Sequence, residues 1–229
     1  AKALASEGIE RLFFALVAIP TAIKVFSWVS TLYKGSIVMS PPLFFALCFI
    51  YLFSVGGLTG LVLGAAGTNI HVHDTHFVVA HFHFVMFGGT AFAFFGGLHF
   101  WWPKLFGRMY NFKKAYISAI LLTVGFVLHY IPMLILGLQG MPRRYYNYLP
   151  QFETGNFFAG IGGFLMVAGI AFMFINLVQG VLNGERATAD PWGGTTLEWG
   201  IPSPPPLHNF VHAPQIKAYP YDFSHVGTK

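Results

Sequence analysis

Charge is what this sequence has least of. Only 9% of its 229 residues are Asp, Glu, Lys or Arg, against about a quarter in soluble domains, while 55% are hydrophobic. So little charge cannot give a soluble globule its polar surface, and composition alone points to a polytopic membrane protein. There is one cysteine, Cys48, inside an apolar run, which excludes a disulfide framework and a cysteine metal site. Acids are scarcer than bases, and Asp74 is the only one between Glu10 and Glu153. The formal charge of +5 is no sign of nucleic-acid binding, because the basic residues sit at the borders of apolar segments, where they set topology. The start, Ala-Lys-Ala-Leu-Ala-Ser-Glu-Gly, has neither a cleavable signal pattern nor an initiator Met, so a processed, trimmed or non-original N-terminus is expected.

What is present is a series of apolar segments, 11–33, 41–66, 76–102, 115–139 and 156–183, each near the roughly twenty residues that cross a bilayer. The expected fold class is therefore an all-α integral membrane protein with about five transmembrane helices. Residues 1–183 form the helical bundle, and 184–229, polar and Pro-rich around Ser203-Pro-Pro-Pro206, form an extended inner-face arm. Internal repeats and a second soluble domain are not visible. The densest basic loop holds Lys104, Arg108, Lys113 and Lys114, so it should face the cytoplasm or mitochondrial matrix, with the loops around Asp74 and Arg143 on the other side. In the first span Lys24 shares a face with Thr21 and Ser27. It either snorkels to the interface or faces a polar interior. The glycines of the second span (Gly56, Gly57, Gly60, Gly64) read as close helix packing.

The densest chemistry is His71-Val-His-Asp-Thr-His-Phe-Val-Val-Ala-His-Phe-His83, five of the ten histidines in thirteen residues. Imidazole is a strong ligand for iron, copper and zinc. His81 and His83 are two apart, so on a helix turning about 100° per residue they point roughly 200° apart. They cannot easily share one metal, but each could hold its own, as two haems flanking one helix would require. Core histidines, or a proton path, are the open alternatives. Asp74 beside His73 is either a helix cap or a cation site. The adjacent Arg143-Arg144 calls for an anion, carboxylate or lipid phosphate.

The run His73-Asp-Thr-His-Phe-Val-Val-Ala-His-Phe-His-Phe84 resembles the signature of subunit I of the haem-copper terminal oxidases. So do Trp102-Pro-Lys-Leu-Phe-Gly-Arg-Met-Tyr110, Gly140-Met-Pro-Arg-Arg-Tyr145 and Ala18-Ile-Pro-Thr-Ala-Ile-Lys-Val-Phe-Ser-Trp28. These motifs occur in the family's order and cover nearly the whole chain, but only the C-terminal half of the family's subunit, the last five of its twelve helices. The resemblance implies that His81 is the axial ligand of the high-spin, oxygen-binding haem and His83 an axial ligand of the low-spin haem. Phe82 between them would offer an inter-haem electron path. Arg143, Arg144 and Asp74 would bind the haem propionates. His73 and Asp74 would help hold a magnesium ion shared with subunit II, and Lys24 with Thr21 would belong to the lysine proton channel. His71, His76, His99 and His129 receive no assigned role.

The resemblance also implies two haems of the a type and copper at the oxygen site, with copper ligands from the half not seen here. Neither His99 nor His129 has the context of a copper ligand. We therefore expect a split subunit I, inactive alone, whose separate N-terminal half completes a proton-pumping oxidase reducing O2 to water. Its partners would be subunit II with its copper centre, subunit III, cytochrome c as donor and the lipid bilayer, in a bacterial plasma membrane or mitochondrial inner membrane. The alternatives are a non-catalytic haem-binding or structural subunit of a respiratory complex, a nitric oxide reductase, against which Lys24 argues, and a trimmed subunit I.

Overall fold

Proline and capping residues mark where the helices begin. A computed structural model describes residues 2–210, 213–215 and 219, with side chains described from Leu16 onward. The earlier side chains of the first span and the remainder of the C-terminal arm lie outside the described residues. Helix α1 runs Lys2–Leu32 and α2 Pro41–Gly64; α2 opens on Pro41-Pro42, where a missing N–H costs nothing. A short α3 (Ala66–Val72) leads to α4 (His76–Val85), whose cap is Thr75, with its hydroxyl accepting from Phe77 N at 3.2 Å. The chain continues through a π-helical turn, Met86–Ala91, into α5 (Phe92–Phe106), which stops at Gly107 with φ +66°. Helix α6 (Phe112–Leu138) is capped by Asn111, and α7 spans Glu153–Asn183.

Among the described residues no strand forms, and four helices are long and apolar enough to cross a membrane: Pro41–Gly64, His76–Phe106, Phe112–Leu138 and Pro150–Asn183. The described part of α1, Leu16–Leu32, is a shorter apolar stretch. The π turn is a feature the sequence analysis did not anticipate. It coincides with Gly88-Gly89, both buried and packed on Leu52 and Phe53 of α2. Such turns widen the helix by one residue and often lie near functional sites.

The core sits between α2, α4, α5 and α6, where Phe45, Leu52, Phe84, Phe92 and Phe126 are fully buried. In lipid, tight packing rather than water exclusion holds helices together, which is why glycines mark the contacts. An added Cβ on Gly125 would meet Met166 N at 2.6 Å, and one on Gly162 would meet Gly125 O at 2.7 Å, so α6 and α7 touch backbone to backbone.

The beginning of the C-terminal arm is folded against the bundle. Lys104 is nearly buried, donating to Ala189 O (2.9 Å) and Ile201 O (2.8 Å) with its ammonium 5.1 Å from the Trp199 ring. Arg108 donates to Gly184 O at 2.7 Å, and Trp192 Nε1 to Phe100 O at 2.9 Å. Two of the four basic residues read as topology signals are thus also pins for the chain's own arm.

Candidate functional site

The alternation of faces along α4 sets the site. His81 turns toward α2, where its Nδ1 lies 3.1 Å from Gly56 O and 3.0 Å from Thr59 Oγ1. His83 turns toward α6, its ring stacked on Tyr130 with centroids 4.7 Å apart and a 20° tilt. Its Nδ1 lies 2.8 Å from Val79 O, one turn back. A carbonyl can only accept, so in each imidazole Nδ1 carries the hydrogen and Nε2 keeps its lone pair. Neither Nε2 has a hydrogen-bond partner among the described residues. An Nδ1–H held by a backbone carbonyl is the arrangement that orients an imidazole for a metal. Both residues therefore fit haem iron, one on each side of α4. Phe82, between them, stacks on His83 at 4.4 Å.

At the head of α4, two loops form a clamp. His76 N donates to Met141 O (3.0 Å), Arg143 N donates to Asp74 O (3.0 Å), and Thr75 and Pro142 form an antiparallel bridge. The Arg143 guanidinium reaches Asp74 Oδ1 at 2.5 Å through Nη2 and 2.7 Å through Nε. This hydrogen bond holds the Asp74 carboxyl below the usual carboxylate range. His73 Nε2 lies 3.5 Å from Asp74 Oδ2. Asp74 (φ +56°) and Arg144 (φ +69°) are both left-handed; Asp tolerates this, whereas for a residue as bulky as Arg it is unusual. Arg144 is exposed and makes no ion pair among the described residues. One arginine of the pair is thus already matched to a carboxylate and the other faces outward.

The clamp brings together Asp74, His73 and Arg143; it does not bring them to His81 or His83. Among the described residues no group of three or more His, Cys, Asp or Glu is close enough to hold a metal, so a cation at His73 and Asp74 would need ligands from elsewhere. Lys24 is exposed on α1, 5.9 Å from the Trp28 ring, and Thr21 gives its hydroxyl hydrogen to Val17 O at 2.8 Å. Lys24 and Thr21 are not hydrogen-bonded to each other. His99 is fully buried, its Nδ1 donating to Phe95 O at 2.7 Å, and His129 Nδ1 reaches across to Ala159 O at 2.5 Å. Thr59 and Tyr130, which contact the two imidazoles, escaped the sequence analysis; nothing in a lone Thr or Tyr of an apolar segment marks it until the helices are packed.

Comparison with known proteins now bears on this geometry. Residues 6–165 match the family model described as cytochrome C and quinol oxidase polypeptide I. The chain belongs to that family. It is 45% identical over 204 residues to cytochrome c oxidase subunit 1 of Bacillus sp. (strain PS3), covering 88% of this chain and 33% of the relative. With the Thermostichus vulcanus subunit 1 it shares 42% over 217 residues, covering 93% and 39%. A cryo-EM structure of a heme-copper terminal oxidase dimer matches with a TM-score of 0.71 at 25% identity, over 79% of this chain and 37% of that one. The chain thus spans about a third of the length of the curated relatives it matches, and is a partial subunit I with an all-helical, membrane-spanning fold.

Proposed function

We propose that this chain is the C-terminal half of the catalytic subunit of a terminal oxidase, acting with the N-terminal half of subunit I in a multisubunit respiratory complex. The observation that carries the reading is the pair His81 and His83, presented on opposite faces of α4 with both Nδ1 atoms tied to carbonyls. His81 would hold the high-spin haem and His83 the low-spin haem, both of the a type, with copper at the oxygen site held by the other half. Bound haem would supply one-electron transfer on the His83 side and reduction of O2 to water on the His81 side.

The chain's own residues have definable tasks in this reading. Val79 O and Gly56 O fix the imidazole tautomers. Phe82 fills the space between the two ligands as the inter-haem electron path. Arg143 and Arg144 present positive charge to the haem propionates, and Asp74 bonds the same network while setting the direction of Arg143. His73 and Asp74 supply part of a magnesium site, completed by subunit II with its copper centre. Lys24, exposed on α1 as are Ile23 and Phe26, would be enclosed by the other half and serve with Thr21 as the lysine proton channel. Subunit III and cytochrome c complete the assembly, in a bacterial plasma membrane or mitochondrial inner membrane.

The test is a reduced-plus-CO difference spectrum of the purified complex. Carbon monoxide binds a five-coordinate ferrous haem and not a six-coordinate one. A photolabile CO signal on one of two haems, abolished by His81→Ala and retained with the wild-type band shape in a Phe157→Ala control, is expected. Haem without any CO signal would overturn the oxidase reading in favour of a haem-binding scaffold.

A further inference from the structure

The two imidazoles are held differently. His83 Nδ1 has one acceptor, a carbonyl of its own helix. His81 Nδ1 has two, both on α2: Gly56 O at 3.1 Å and Thr59 Oγ1 at 3.0 Å. The Thr59 hydroxyl cannot be the donor in that contact. Its hydrogen is directed to the carbonyls of Gly56 (2.9 Å) or Val55 (3.0 Å), and the tautomer set by Gly56 O already places a hydrogen on Nδ1. Thr59 Oγ1 therefore presents a lone pair to His81 Nδ1–H. The approach is permitted by Gly60, where an added Cβ would lie 3.1 Å from His81 Cε1.

We propose that Thr59 is a positioning residue for His81, tuning the iron on that side through a second acceptor on the imidazole. The inference rests on the assignment of His81 as a haem ligand. A hydrogen-bonded Nδ1–H pushes electron density toward Nε2 and makes the imidazole a more basic ligand. Two acceptors push further than one. The bond from Nε2 to ferrous iron is then stronger, and the ferric state is favoured. The packing also fixes ring rotation, since the two acceptors lie one turn apart on α2.

The experiment is resonance Raman spectroscopy of the reduced, CO-free complex, reading the iron–imidazole stretching band, with the reduction potential of the same haem measured alongside. Thr59→Val keeps the shape and removes the lone pair; Thr59→Ser restores a hydroxyl. We expect the band to move to lower wavenumber and the potential to rise in Thr59→Val, and both to stay at the wild-type position in Thr59→Ser. An unchanged band in Thr59→Val, or an equal shift in both variants, overturns the proposal. Should Thr59→Val fail to assemble, Thr59→Ala reads the same band with the same two outcomes. Absence of any iron–imidazole band in the wild-type complex would instead overturn the assignment of His81 itself, so the two failures are distinguishable.

Discussion

Gly137 is the tightest point between the candidate site and its support. A Cβ added there would overlap Phe77 N of α4 and lie 2.6 Å from both its Cα and Cβ. Unstrained carbon contacts lie at about 3.5–4.0 Å, so Gly137→Ala must part α6 from α4 by roughly 1 Å. No rotamer change relieves the clash, because the atoms met are backbone or the first side-chain carbon. Overpacking of this kind costs about 1–3 kcal/mol, and the rigid partner places this site near the upper end, about 3 kcal/mol. At roughly 2–4 °C per kcal/mol for a chain of this size, the midpoint of thermal unfolding should fall by roughly 6–12 °C. Separation at Gly137 also carries Arg143 away from Asp74, so the clamp should loosen. The assay is the thermal melt of the detergent-solubilised complex, with Gly160→Ala as control, since no atom lies within 4 Å of a Cβ at Gly160. A Gly137→Ala melt indistinguishable from the wild type, or an equal loss in the control, would refute the argument that this backbone contact seats α4.

Two further outcomes follow from the same geometry. Lys104→Met keeps the helix but removes an ammonium that makes two hydrogen bonds to the arm, each worth about 1.5–3 kcal/mol for a charged donor; limited proteolysis should then cleave within residues 185–203, and an arm as resistant as in the wild type would show that Lys104 is not its pin. For Asp74 the folded carboxyl lies below its ordinary value, so the contribution of the Asp74–Arg143 pair is fully present above about pH 3.9 and is lost as pH falls through the lower folded value. Isotope-edited infrared spectroscopy should show Asp74 still ionised at that pH in the wild type and titrating nearer its ordinary value in Arg143→Gln; identical titrations would remove Arg143 as the cause.

What was legible in the sequence was whatever depends on local period and composition. The spacing of His81 and His83 settled their opposite directions before any packing was known, because two residues along a helix is a rotation whatever surrounds it. The helical, membrane-spanning class followed from charge scarcity, and the glycines of the second span were contact points at two of four positions: Gly56 lies against Val85 and Phe84 and Gly60 against His81, whereas an added Cβ at Gly57 or Gly64 would meet nothing within 4 Å. What stayed hidden depends on distant residues meeting. Lys104 reads as a topology signal until Ala189 and Ile201, far along the chain, bring their carbonyls to it. The π turn at Met86–Ala91 leaves no periodic trace, since one extra residue in a turn is invisible among uniformly apolar neighbours.

The direction of Asp74 shows the same division within the site. The sequence offered helix cap or cation ligand, both local readings of an isolated carboxylate beside a histidine. The structure gives the capping task to Thr75, turns one Asp74 oxygen to Arg143, 69 positions away, and leaves the other beside His73. Because that bond is exposed and screened, its energetic weight is small; its consequence is directional. Both bonds from Arg143 end on one Asp74 oxygen, so its guanidinium keeps further N–H donors for an anion, while Arg144 is held outward by a backbone conformation few bulky residues adopt. Two adjacent arginines that look equivalent in the sequence are therefore unequal in the fold: Arg143 is turned to Asp74 and Arg144 outward.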